Sequence, residues 1–360
     1  MRRRVLVTGA GGAAATNFVR SLRAAPEEIY LIGADCDPYH LQRAETDERH
    51  LVPPADDADY LAVLEDLISE TGAELIHCQP DQEVRRVSAH RDQLPIRTFL
   101  PSHLAIELCQ DKFESYRVWR AAGLPVPETM RIAEPADLAE AFARFGHPLW
   151  LRAVVSPGGG KGALRTEDPV FARAWLDFCH GWNEFVAAEC LESESVTWTA
   201  LYRDGELIVA QGRRRLYWEL GNRAPSGVTG VTGAGETVAD PQVDEIGMAA
   251  IAAVDPRPNG IYGVDLTYDR QGRPNPTEIN IGRFFTTHFF FTCAGLNLPW
   301  LFVKLAFDEP IPELPRKLNP LPDDLLWIRG VDVFPRLTTS SVVAEARSGL
   351  ERRRARLASR

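Results

Sequence analysis

In the last third of this 360-residue chain, Gly263-Val264-Asp265-Leu266-Thr267 is followed by Asp269-Arg270-Gln271-Gly272-Arg273 and then by Glu278-Ile279-Asn280. The middle segment has turn chemistry between two strand-like runs, so the sequence reads as a β-hairpin. With Gln271-Gly272 at the turn, Asp265 falls directly opposite Glu278, and Asn280 lies two residues further on the same face. Opposed carboxylates repel unless a cation lies between them. Two carboxylates and an amide oxygen make a hard, all-oxygen set, suited to Mg²⁺ held jointly with nucleotide phosphates. A solvated acidic hairpin is the alternative. It fits the flanks poorly, because Val264, Leu266 and Ile279 need one buried face while the polar trio shares the other. Pro274 and Pro276 interrupt regular pairing, so the register is conditional on them.

A second group is Ser156-Pro157-Gly158-Gly159-Gly160-Lys161-Gly162, after a strand over Leu149–Val155. It is not a Walker A loop: glycine follows the lysine, and Val155 stands where the first glycine belongs. Four glycines and a lysine still form a plausible nest of backbone N–H groups for a triphosphate. Arg152, on the preceding strand, adds a fixed cation. The alternative is an ordinary surface loop. Only four lysines occur in the chain (Lys112, Lys161, Lys304, Lys317), against an arginine-rich background, which makes each more informative.

Gly9-x-Gly11-x-x-Ala14 follows a strand and opens a helix, with Asp35 ending the next strand. This fits a degenerate dinucleotide fingerprint and would suit an NAD(P)-dependent oxidoreductase. The other reading, which we prefer, is that these glycines only make the tight β-to-α turn. None of the eight tyrosines is followed four residues later by lysine, so the pair a short-chain dehydrogenase needs is absent.

The elements that must carry these groups are legible in outline. Val5–Thr8, Ile29–Ala34 and Glu74–Cys78 read as strands, and Ala13–Ala25 and Asp59–Glu70 as helices, the latter with Leu61, Leu64, Leu67 and Ile68 on one face. Strands separated by helices imply a parallel sheet. Asp111 and Glu114 resemble a capping box before Phe113, Tyr116 and Trp119, and Gly123 ends that helix. Strands follow near 185–191 and 196–210, a Gly/Thr/Arg-rich loop region over 212–237, the hairpin at 261–280, and a proline-rich opening to 310–360.

Composition narrows the function. Hydrophobic residues make up 45% and charged residues 25%, the balance of a folded globular protein. The net charge of −10 disfavours nucleic-acid binding, which rests on neutralising phosphates. No apolar run reaches the ~20 residues of a membrane span. Six scattered cysteines without a C-x-x-C pair suit a reduced compartment, so a cytoplasmic protein is expected. His77, His180 and His288 have no metal-ligand spacing, Phe284, Phe285 and Phe289–Phe291 read as core, and the terminal arginines read as a solvated tail.

In this order the motifs resemble the ATP-grasp superfamily, on the branch similar to the carbamoyl-phosphate synthase large subunit and other carboxylate–amine ligases. The matching pieces are Val-Thr-Gly-Ala-Gly-Gly, Asp111-Lys112 with Gly123-Leu-Pro-Val-Pro, Arg152 with the Gly158–Gly162 loop, Glu189-Cys-Leu, and Gly-Val-Asp265 with Glu278-Ile-Asn280. They run over roughly residues 1–300. The resemblance implies an α/β Rossmann-like pre-ATP-grasp domain (1–108), then a small α+β lobe with the glycine loop (109–190) and a large lobe with the metal site (191–310), with 311–360 as a C-terminal extension. It implies ATP and Mg²⁺, replaceable by Mn²⁺, and a small-molecule carboxylate activated as an acyl phosphate for attack by an amine.

By the same resemblance, Lys112 and Arg152 would hold the ATP phosphates, with Gly158, Gly159, Gly160 and Lys161 in the covering loop. Glu189 and Leu191 would meet adenine. Asp265, Glu278 and Asn280 would hold the metal, and Arg283, with Lys161, would act on the transferring phosphoryl group. The family's ribose-binding Glu, six residues after Glu189, is Ser195 here, and Glu192 or Glu194 would replace it. Arg213, Arg214, Arg215 and Arg223 are candidates for a forked grip on the substrate carboxylate, with a solvated strand end as the alternative, and Arg329 is an odd charge in an apolar run. A homodimer is the default expectation. A catalytically silent nucleotide-binding protein and the oxidoreductase remain as alternatives.

Overall fold

The computed structural model describes residues 2–155, 162–330 and 338–359. Its first unit alternates strand and helix: β1 (Arg3–Thr8), α1 (Ala13–Arg23), β2 (Ile29–Asp35), α2 (Pro38–Leu41), β3 (Glu48–Leu51), α3 (Tyr60–Thr71), β4 (Leu75–His77), α4 (Asp81–Ala89), β5 (Arg97–Thr98) and α5 (His103–Gln110). The strands form a parallel sheet in the order β3-β2-β1-β4-β5. Strands buried on both faces read as continuous apolar runs, which is why Val5, Leu6 and Val7 are all fully buried. Between β1 and β4 the strand order reverses, and Asp81, just after β4, meets Arg283 of the large-sheet unit.

The second unit holds α6 (Lys112–Ala121), β6 (Thr129–Ile132), α7 (Pro135–Phe145), β7 (Leu149–Ala153), β8 (Leu164–Thr166), α8 (Pro169–Phe178) and β9 (Phe185–Glu189). Asp111 caps α6 by accepting from the Phe113 and Glu114 amides, and Gly123, at φ +76°, follows its end. Four strands form an antiparallel sheet in the order β6-β9-β7-β8. Leu149 and Leu151 enter its core with Leu138, Ala141 and Leu176 from the two helices. The alternation of β7 leaves Trp150 and Arg152 on the other face.

The third unit is built on β10 (Ser195–Arg203), β11 (Glu206–Trp218), β12 (Thr232–Val238), α9 (Pro241–Val254), β13 (Gly260–Tyr268), β14 (Pro274–Ile281), α10 (His288–Cys293) and α11 (Leu298–Ala306). Its six-stranded sheet runs β14-β13-β10-β11-β12 and ends on β15 (Leu326–Ile328). α9 packs under this sheet, bringing Val243, Ala250 and Ile251 against Trp198, Tyr262 and Val264. The expected loop over 212–237 is therefore half strand: β11 carries Arg213 to Arg215, and 219–231 lies between β11 and β12. Three successive arginines and an aromatic pair mask a two-residue alternation that burial restores.

The final helix, α12 (Ser340–Ala358), returns to the first unit. Arg353, 6% exposed, donates to Asp66 (2.8 Å) and Glu70 (2.7 Å) of α3. Arg354 pairs with Asp57. Of the terminal arginines, Arg353, Arg354 and Arg356 are thus not a solvated tail; they dock on acids of the N-terminal unit.

Candidate active site

The large sheet turns one polar face toward the small lobe. β-pairing puts Asp265 opposite Glu278 and also opposite Thr197, while Thr197 is opposite Arg213. One row across four strands therefore reads Arg213, Thr197, Asp265, Glu278. Asn280 sits opposite Gly263, two residues along on the same face. The hairpin register is as the sequence gives it at the trio, though not at the turn. There Tyr268 faces Pro274, and a bulge at Thr277 supplies the residue that restores Asp265 to Glu278.

Side chains complete the row. Thr197 donates to Asp265 Oδ1 at 2.5 Å, and Asn280 Nδ2 donates to Asp265 Oδ2 at 3.0 Å. Lys112 Nζ is 3.4 Å from Glu278, and Arg152, from β7 of the other lobe, is 4.0 Å away. Arg152 also donates to the Thr277 carbonyl at 2.8 Å, and its Nε is buried without a partner. Burial works against the Glu278 carboxylate, but Lys112, Arg152 and Arg283 outweigh it and hold Glu278 below its ordinary range. Arg283 donates to Asn280 Oδ1 at 2.6 Å and forms a forked pair with Asp81. Burial opposes the Arg283 cation, yet Asp81 and Glu278 raise its pKa. Asp81 opens α4, just after β4, so the first unit reaches the site through that carboxylate. Nothing in the sequence spacing ties Asp81 to Arg283. The one available signal is that residues beyond the C-terminal ends of parallel strands line crevices.

These groups line a cleft of about 740 Å³ between the two sheets. Lys112, Arg152, Glu189, Leu191, Arg215, Asp265, Glu278, Asn280 and Arg283 all border it. Two candidates do not. Glu194 is exposed and faces Arg214 at 3.0 Å, on the opposite side of the strand from Ser195. Glu192 lines the cleft instead. Arg223 is exposed in a short turn and does not border the cleft. Gly158, Gly159, Gly160 and Lys161 lie outside the described residues.

Sequence reasoning missed Thr197 and Trp218 and read Phe285 as core, whereas Arg213, a substrate-carboxylate candidate, borders the cleft beside Arg215. Burial, with Arg215 and Arg329 nearby, pushes Arg213 down to about 9. Arg329 turns inward and donates to the Thr232 carbonyl.

The donor set suits a hard divalent cation. Two carboxylates and one amide are on one face, and an ion such as Mg²⁺ takes one or two carboxylates and leaves its other positions to substrate phosphates and water. No cluster of three His, Cys, Asp or Glu able to hold a metal occurs among the described residues, so the protein alone offers no full cage. Asn280 presents Nδ2 to Asp265, and using its oxygen on a cation requires the amide to turn over.

The Gly9-x-Gly11 turn is filled by protein. A Cβ at Gly11 would lie 1.9 Å from the His40 carbonyl oxygen, and one at Gly9 would lie 2.8 Å from the Pro80 ring. Asp35, at the position that would meet a ribose, accepts from the Gly11 amide (2.9 Å) and the Asp37 amide (3.0 Å). This is the arrangement of a packed turn. His77 and His288 are core residues stacked among Phe18, Phe284 and Phe302.

No protein-family model matches the chain. A phosphoribosylamine–glycine ligase of Streptomyces coelicolor is 33% identical over 207 residues, 56% of this chain and 46% of that protein. A D-alanine–D-alanine ligase of Acidovorax ebreus is 37% identical over 49 residues, 14% of this chain and 15% of that protein. The chain thus spans less than half the length of these two curated relatives. Carboxyaminoimidazole ribonucleotide synthase from Aspergillus clavatus, complexed with ATP, superposes with a TM-score of 0.65 at 19% identity, over 86% of this chain and 78% of that one. The biotin carboxylase domain of 2-oxoglutarate carboxylase from Hydrogenobacter thermophilus, complexed with MgADP, gives 0.68 at 18% identity, over 91% and 73%. L-amino acid ligase from Bacillus licheniformis gives 0.63 at 12% identity, over 85% and 74%. With its Rossmann-like unit, its small antiparallel lobe and the six-stranded sheet opposite, the chain shares the overall fold of these solved structures.

Proposed function

We propose that the chain is an ATP-dependent carboxylate–amine ligase that acts on small molecules in the cytoplasm. One observation carries this reading: Asp265 and Glu278 are paired across a hairpin beneath Lys112 and Arg152, cations from the other side of one cleft. An acidic pair faced by fixed cations from two lobes suits a metal–triphosphate complex, whose charge alternates in the same way. Asp265, Glu278 and Asn280 would hold Mg²⁺, which would neutralise charge on the β- and γ-phosphates. Lys112 and Arg152 would grip the phosphate oxygens. The adenine would lie at the segment joining the lobes, against Glu189 and the Leu191 backbone, with Glu192 as the acid nearest a ribose.

The chemistry then needs positioning more than covalent participation. The substrate carboxylate oxygen attacks the γ-phosphorus, the bond to the β-phosphate oxygen breaks, and ADP leaves. Arg283, held in place by Asp81, offsets charge on the phosphoryl oxygens. The amine then attacks the acyl carbon, phosphate departs with the former carboxylate oxygen, and the amine proton passes to solvent. The likeness of the chain to proteins named as ligases supports this reading over a catalytically silent nucleotide binder.

The test is isotopic. Carboxylate oxygen labelled with ¹⁸O should appear in inorganic phosphate, with ADP as co-product, across a panel of acid and amine pairs. AMP and pyrophosphate as products, or no label in phosphate, would sink the reading.

A further inference from the structure

The cleft contains two guanidinium groups for which the protein supplies little negative charge. Arg213 and Arg215 stand two residues apart on β11 and share the face that lines the cleft. Arg213 is 2% exposed and the Arg215 side chain 9%. Their partners are mostly neutral hydroxyls. Thr232 and Thr197 each accept from both guanidinium groups, and Ser195 accepts from Arg215. The Arg213 Nε is buried with no acceptor. The Trp218 ring lies 3.7 Å from Arg215 and the Phe285 ring 5.4 Å from Arg213.

Among the described residues, the one carboxylate within ion-pair distance of either arginine is Asp265, 3.6 Å from Arg215. Hydroxyls and ring faces satisfy N–H groups without cancelling charge, and two adjacent buried cations are costly without an anion. In the ligase reading, on which this inference rests, Asp265 is committed to the cation beside Glu278. Both arginines then lose their protein counter-charge. A reacting carboxylate beside Asp265 reaches Arg215 and balances one of them. Arg213 stands one hydroxyl further off, linked to Asp265 through Thr197. We infer that the acid substrate carries a second, non-reacting anionic group, carboxylate or phosphate, held by Arg213 and Arg215. The planar fork of an arginine matches either group.

The test needs no turnover. Calorimetry on the wild-type chain, with a non-hydrolysable ATP analogue and Mg²⁺, compares butanedioate and pentanedioate with butanoate and pentanoate, and phosphoglycolate with glycolate. Dianions should bind roughly ten- to a hundredfold more tightly than monoanions of equal length. The better series identifies the second group as carboxylate or phosphate. Arg213→Gln and Arg215→Gln should each abolish that preference. The wild-type comparison stands even if the buried Arg213 variant misfolds. Equal binding of mono- and dianions, or no dianion binding at all, overturns the inference, including when ADP release bears out the ligase. Dianion preference with no ADP released from any acid and amine pair supports the anion site and removes the ligase reading instead.

Discussion

Glu278 is the point on which most of the site's charge converges. Its single negative charge faces Lys112, Arg152 and, more distantly, Arg283, and these hold its carboxyl below the ordinary range against the cost of burial. Glu278→Gln keeps the shape and removes the charge. Turnover should be lost, because a metal–phosphate complex loses one of two anionic ligands. The unliganded protein should also lose about 1–3 kcal/mol, since three cations are left facing a neutral amide. ATP should recover part of that loss by supplying anions to the same cations. Urea denaturation with and without ATP measures both effects, and an undiminished stability would show that the cations find other partners. At this scale the sequence was informative wherever partners are close along the chain. Asp265, Glu278 and Asn280 were readable because one hairpin joins them. The Arg283–Asp81 pair, which links residues 202 apart, was not. Glu194 illustrates a finer failure: the acid is in the right neighbourhood, but a one-residue step on a strand turns it to the wrong face.

Elements decide which of several similar side chains reaches the cleft. On β11, Arg213 and Arg215 point to the polar face while Arg214 points away to Glu194 and Glu236. A run of identical residues carries no periodicity, so the strand was invisible until its neighbours β10 and β12 supplied the register. The glycines after β1 show the opposite case, where a motif was visible and its meaning depended on packing. Gly11 approaches the backbone of α2 so closely that any Cβ collides with the His40 carbonyl, and a carbonyl in that position cannot swing away like a side-chain tip. Gly11→Ala should therefore destabilise the protein by about 1–3 kcal/mol or more, with ATP affinity following the folded fraction only. Thermal melts with ATP and with NAD(P) check this. A large NAD(P) shift in the wild type, lost in the variant, would restore the nucleotide role of these glycines.

Two of the contacts that tie the first unit to later parts of the chain are the α12 docking on α3 and a buried aromatic knot where α1, β4, α10 and α11 meet. No helix among the described residues is long and apolar enough to cross a membrane. The knot contains two histidines kept neutral. His77 has no hydrogen-bond partner on either ring nitrogen, and burial lowers its pKa to about 3; burial lowers His288 to about 4. In the unfolded chain both titrate near ~6.5. Between that value and about 4 the unfolded state binds two more protons than the native state at these rings, so stability falls as pH falls. Glu83 opposes them. Burial, helped by Asp35, raises its carboxyl to about 7, so from there down to the ordinary range the native state holds one extra proton. The net difference from these three groups is one proton between pH ~6.5 and ~4.5, a loss of roughly 1.4 kcal/mol for each pH unit of acidification. His77→Phe, which preserves the stacking on Phe18, should lessen the acid slope by about one proton, roughly 1.4 kcal/mol per pH unit, and Glu83→Gln should steepen it by about the same amount. Urea midpoints at pH 7, 6 and 5 for the three proteins give the slopes. If both variants keep the wild-type slope, neither His77 nor Glu83 titrates across folding, and the acid sensitivity of the protein arises elsewhere.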